Sequence, residues 1–85
     1  MRLLALAPAL LLAAPAFGQN LPPANGLPLS QIVAGVEKSQ PVRVFTELEW
    51  DDDGYWDIEF INTNNRRASI RIDPFSGEPW SRRNR

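Results

Sequence analysis

The chain contains no cysteine and no histidine. Without cysteine there are no disulfides and no thiolate nucleophile, and without histidine there is no His-based catalytic triad. Lysine is reduced to Lys38, so a Ser–Lys dyad would have to recruit that one side chain. Charge of either sign is nearly absent in the sum: 9 Lys and Arg against 10 Asp and Glu give a net charge of −1, which argues against general nucleic-acid binding. Long apolar runs are confined to the first seventeen residues. What remains is a small chain that must fold on its aromatic and branched residues, or with a partner. A domain of about 60 residues buries only about 60% of its unfolded surface.

The opening residues specify a compartment. Met1 and Arg2 form a minimal positive start, Leu3 to Ala13 is apolar, and Ala16 and Gly18 are the small residues that precede a cleavage point before Gln19. This is the layout of a secretory signal peptide, with a cut after Gly18 or, as the second choice, after Ala16. The apolar run is shorter than the ~20 residues of a spanning helix and is interrupted by Pro8 and Pro15, so membrane contact is expected only through an uncleaved signal segment. No cysteine follows the run, which excludes a lipid-modified lipoprotein. The expected organisation is a signal peptide over 1–18, a flexible leader over 19–28, a folded domain over 29–80 and a basic tail over 81–85.

Within the domain, Ser30 reads as an N-cap, and Leu29, Ile32, Val33 and Val36 share one helical face from about Gln31 to Ser39. Pro41 ends the helix by restricting Gln40. Gly35 is expected to let the helix backbone approach a sheet. Three alternating segments follow. The inward sets are Val42, Val44, Thr46, Leu48 and Trp50, then Trp56, Ile58 and Phe60, then Ala68, Ile70 and Ile72. Period two with one apolar face describes a half-buried antiparallel sheet. The fold class is therefore α+β: one N-terminal helix packed on a three-stranded antiparallel meander, with a short fourth strand conceivable at 78–80.

The turns set the register. Asp52 to Gly54 suits a three-residue loop with Gly54 left-handed, and Thr63 to Asn65 suits another with Asn65 left-handed. Trp50 then faces Trp56, Leu48 faces Ile58, and Thr46 faces Phe60; on the other side Phe60 faces Ala68, Ile58 faces Ile70, and Trp56 faces Ile72. Outward, Glu49 meets Asp57 and Glu47 meets Glu59, with Arg71 relieving Asp57 in part. Like charges placed directly opposite are unfavourable. Phe45, Glu47, Glu49, Tyr55, Asp57, Glu59 and Ile61 thus form a mixed acidic and apolar outer face, the candidate partner-binding surface. One helix on one sheet leaves little room for the cleft that paired glycosidase carboxylates need.

Two further features are weaker. Asp51 to Asp53 is a dense acidic turn, but Tyr55 and Trp56 break the EF-hand pattern, so no metal or cofactor site is assigned. The arginines after Trp80 are too few to specify nucleic acid. They read as a frayed tail that could pair with the acidic face and drive weak, salt-sensitive self-association, while Trp80 closes the sheet edge or covers the core.

From Leu29 onward the chain resembles the PepSY domain family. The matching elements are Leu29-Ser30 opening the helix, Pro41 before the first strand, Tyr55 early in the second, and Asp73-Pro-Phe-Ser76-Gly77-Glu78 after the third. The last resembles the family's Asp-x-x-Ser/Thr-Gly-Glu turn, in which Asp73 can accept amide hydrogen bonds and Gly77 can supply positive φ. Two departures are Val42, where a Gly often follows the Pro, and Pro79, which should shorten any closing strand. The resemblance implies a bacterial protein of the periplasm or the secreted fraction. It also implies a non-enzymatic interaction module with a protein partner, a secreted peptidase to be bound or restrained, or a sensor protein. The alternative is an envelope sensor or accessory protein that takes a small ligand or cation at the 51–53 turn.

Overall fold

A computed structural model describes residues 21–82. The segment expected to be a signal peptide, 1–18, the first two residues of the expected leader and the last three residues of the expected tail lie outside the described residues. Helix α1 spans Leu29–Ser39 and is followed by strands β1 (Val42–Asp51), β2 (Tyr55–Asn62) and β3 (Arg67–Ile72). The strands form one antiparallel sheet in the order β1-β2-β3, which is the α+β meander expected from the alternation.

The helix starts one residue into the chain before Ser30 rather than at it. Pro28 is extended (φ −63°, ψ 146°) and occupies the N-cap position, and its carbonyl accepts from the amides of Gln31 and Ile32. Ser30 therefore sits in the first turn and is not the cap, because a proline's fixed φ already serves to begin the helix. At the other end Gln40 is forced into the extended region by Pro41, and its amide closes the helix on the Val36 carbonyl at 2.9 Å. Lys38 lies in the last turn, where a cation complements the helix dipole.

The apolar face behaves as its spacing predicts. Ile32 and Val36 pack on Ile58, Phe60 and Ile72, and all five are no more than 2% exposed. Leu27, Leu29, Val42, Phe45, Trp56, Ala68 and Ile70 surround this core. Full burial of such a side chain is worth about 1.5–3 kcal/mol, so a handful of them is the main stabilising term in a domain without disulfides. Gly35 does not act as expected: it is exposed, and a Cβ built there meets no atom within 4 Å. The helix approaches the sheet with its Ile32 and Val36 side and not with its glycine.

The β2–β3 register is the expected one throughout, including Phe60 opposite Ala68 and Asp57 opposite Arg71. Asn65 takes φ +63°, and the Asn62 Oδ1 accepts from the amides of Asn64 and Arg66 at 2.9 and 3.0 Å. The β1–β2 loop also forms as expected, with Gly54 at φ +109° donating to the Asp51 carbonyl.

Strand β1 departs from simple alternation. Trp50, Glu49, Leu48 and Glu47 pair with Trp56, Asp57, Ile58 and Glu59, but the register then shifts, and Phe45 rather than Thr46 stands opposite Phe60. A second shift lies between Val42 and Val44, so that Val44 meets Ile61 and Val42 meets Asn62. An extra residue at each point reverses which neighbour points inward. Phe45 packs edge-to-face on Phe60 with centroids 6.3 Å apart, whereas Val44 is 45% exposed. The reason is burial: the shift replaces a threonine with an aromatic ring at the inner position opposite Phe60.

Candidate functional site

The sheet has one face beneath α1 and one face away from it. On the second face β2 contributes Tyr55, Asp57, Glu59 and Ile61, which are opposed from β1 by Asp51, Glu49, Glu47 and Val44. From β3 come Arg71, Ser69 and Arg67, opposite Asp57, Glu59 and Ile61. The expected juxtaposition of Glu47 with Glu59 and of Glu49 with Asp57 is therefore present as direct cross-strand pairs. Glu47 and Glu49 are exposed, while Asp57, Glu59 and Ile61 are half-buried. Each opposed like pair works against the sheet by a few tenths of a kcal/mol up to about 1 kcal/mol.

Phe45 does not belong to this face. The bulge that turns it inward puts Val44 in its place, so the apolar component of the outer surface is Val44 with Ile61. The sequence carries a signal for this: Val42, Phe45 and Leu48 recur at a spacing of three, which a strand can bury on one side only with an extra residue between them.

Tyr55 is on the expected face but is only 5% exposed. Its cover is Trp80, whose ring lies 4.7 Å away at 48°, and Arg71, whose guanidinium stands 4.9 Å over the tyrosine ring. Trp80 reaches this position because Ile72 bridges to Pro79 and the Trp80 amide donates to the Arg71 carbonyl at 2.8 Å. The expected short fourth strand is thus a single bridge. Trp80 thus closes this end of the β3 edge, the first of its two expected roles, while its ring covers the outer face and not the core under the helix. Its indole Nε1 is enclosed with no hydrogen-bond partner among the described residues. Burial raises the Tyr55 hydroxyl above its ordinary value of 10.0; Arg71 pulls the other way, and the carboxylates of Asp51 and Asp53 push upward again.

The Asp73 turn is a structural device. Asp73 Oδ1 accepts from the amides of Phe75 and Ser76 at 2.8 and 3.0 Å, and the Ser76 hydroxyl accepts from the Glu78 amide at 3.1 Å. The Asp73 amide donates to Glu78 and the Gly77 amide donates back to Asp73, at 2.8 and 2.9 Å. Gly77 holds φ +76°. Residues of the 19–28 leader lock onto this turn. The Leu27 amide donates to the Pro74 carbonyl at 2.8 Å, and the space beside Gly77 is filled by the Leu27 side chain, 3.2 Å from where a Cβ would stand.

In the 51–53 turn Asp51 Oδ1 is engaged by the Asp53 amide at 2.8 Å, and no group of three acidic side chains among the described residues converges to hold a metal ion. Among the described residues no helix is long and apolar enough to cross a membrane.

Residues 2–83 match the profile of the peptidase propeptide and YPEB domain family. The chain belongs to the PepSY family. PepSY domains are generally non-catalytic modules of the propeptide or inhibitor type and are typically extracellular or periplasmic. No curated protein and no solved structure matches the chain. In this PepSY domain the Asp73–Glu78 turn that carries the resemblance is held by its own hydrogen bonds and by the Leu27 contact.

Proposed function

We propose that this PepSY domain is a secreted or periplasmic interaction module of a bacterium, and that it binds and restrains a protein partner, a secreted peptidase first, through the sheet face opposite α1. The observation that supports the reading is the two pairs of opposed carboxylates, Glu47 with Glu59 and Glu49 with Asp57. Four acids drawn together by register lower the stability of the sheet, and a basic partner surface recovers that cost on docking. Val44 and Ile61 add an apolar rim at the α1-distal face, and Tyr55 serves indirectly by seating Trp80. Restraint would come from covering the peptidase surface with this face.

The test is depletion of peptidase activity from a secreted fraction passed over the immobilised protein, compared with the Glu47→Lys, Glu59→Lys double variant. Both residues lie on the sheet surface away from the core, so the variant is expected to fold. Depletion that disappears with the double variant supports the reading. Equal depletion by the two proteins refutes the assignment of this face.

A further inference from the structure

We propose that the free edge of β1, from Glu47 to Asp51, takes up a strand from the protein partner, one whose side chains alternate between basic and apolar. This rests on the reading of a protein partner above and specifies how that partner is held.

Both faces of the sheet stop one strand short at β1. Across the outer face one row runs Arg71, Asp57, Glu49 and ends there; the next runs Ser69, Glu59, Glu47 and ends likewise. On the β3 side the β2 acids meet an arginine and a serine, but on the β1 side they meet only more acids. A basic residue beside Glu49 would complete a row of alternating blocks, basic, acidic, acidic, basic. Across the inner face the row Ile70, Ile58, Leu48 passes from a half-buried to a fully buried residue and then to one that is 41% exposed. Leu48 faces the best-buried residue of the core and yet has nothing beyond it among the described residues. Trp50 on the same row of β1 is half-buried, supported edge-to-face by Trp56 at 5.5 Å. A neighbouring strand with apolar residues inward and basic residues outward satisfies both faces at once.

The remaining edges are less suited. The far end of β3 is occupied by the Ile72–Pro79 bridge and the Trp80 amide. In β1 itself the two register shifts disturb the segment before Glu47, which confines regular pairing to Glu47–Asp51. The charges also select the occupant. A second copy adding β1 to β1 would bring Glu47, Glu49 and Asp51 against one another, and such edge charges are a known guard against self-pairing. A basic strand meets no such barrier.

The experiment uses the purified protein and two labelled hexapeptides of equal composition, one alternating arginine and valine and one with three arginines followed by three valines. Fluorescence anisotropy is expected to give the alternating peptide about tenfold tighter binding, since only it can present one chemistry to each face. The variant Leu48→Lys places an inward charge on the edge at an exposed position and is expected to bring the ratio to about one. Slower amide exchange at Leu48 to Trp50 with the alternating peptide would accompany binding. Equal affinities for the two peptides, or an undiminished preference in Leu48→Lys, overturn strand addition. Concentration-dependent dimerisation that Leu48→Lys removes would overturn the choice of occupant in favour of a second copy. If peptidase depletion is sensitive to Glu47→Lys, Glu59→Lys and insensitive to Leu48→Lys, the outer-face reading survives and the edge proposal falls.

Discussion

Exchanging the roles of two adjacent residues tests the bulge in β1, on which the make-up of the binding face depends. In an unbroken strand Val44 would point to the core and Phe45 to solvent; the register shift reverses them. Truncating a fully buried phenylalanine to alanine costs about 3–5 kcal/mol, and Phe45 is half-buried, which scales that to about 1.5–2.5 kcal/mol. The edge-to-face contact with Phe60, at 6.3 Å and 65°, adds about 0.5–1.5 kcal/mol. Phe45→Ala should therefore destabilise the domain by about 2–4 kcal/mol. In a domain of this size 1 kcal/mol shifts the melting temperature by about 4–8 °C, so a fall of at least about 8 °C is expected. Val44→Ala, at a side chain 45% exposed, should cost no more than about 0.5 kcal/mol. Thermal and urea unfolding of the two variants, followed by far-ultraviolet circular dichroism, provide the comparison. A Val44 variant as damaging as the Phe45 variant, or more so, would refute the bulge and return Phe45 to the outer face.

Three further expectations follow from the same geometry. Gly35→Ala should stabilise the protein by about 0.5–1 kcal/mol, because helix propensity improves and the new methyl meets nothing within 4 Å; a loss of stability in urea titration would show that the helix is closely packed there after all. Gly77→Ala should destabilise by about 1 kcal/mol or more, since it forces a side chain into φ +76° and against Leu27, and a neutral melting curve would contradict that lock. Raising the Tyr55 hydroxyl above 10.0 favours the neutral phenol in the folded state, so its contribution to stability is full below that pH and is lost as pH climbs through the higher folded value. Unfolding midpoints from about pH 9 to pH 11 should fall less steeply in Tyr55→Phe than in the parent, and parallel curves would dismiss the effect.

The β2–β3 hairpin could be read directly because its alternation is unbroken and Asn65 marks the left-handed turn residue. The same held for the half of β1 from Glu47 to Trp50, where alternation and the Gly54 turn agree. What alternation could not show was an extra residue, since a period-two pattern assigns every position to a face and has no term for a bulge. The acidic half of the candidate face was therefore legible, and its apolar member was displaced by one residue, from Phe45 to Val44. Ser30 misled for a related reason: a good capping side chain is only one way to begin a helix, and Pro28 two residues earlier supplied another. A glycine inside a helix suggests close packing, but here the helix presents Gly35 to solvent. Trp80 was hardest to place, because its position on Tyr55 depends on one long-range bridge at Pro79 that no local periodicity announces.

The hydrogen bond from Leu27 to Pro74, with the Leu27 side chain set against Gly77, ties the entrance of the domain to its exit. During synthesis the residue at position 27 emerges early and waits for almost the whole domain before its partner exists. The helix can form while that partner is still missing, but its attachment at Leu27 cannot. A chain cut before the Asp73 turn lacks the partner of Leu27, so loss of either end of the domain is expected to loosen the other.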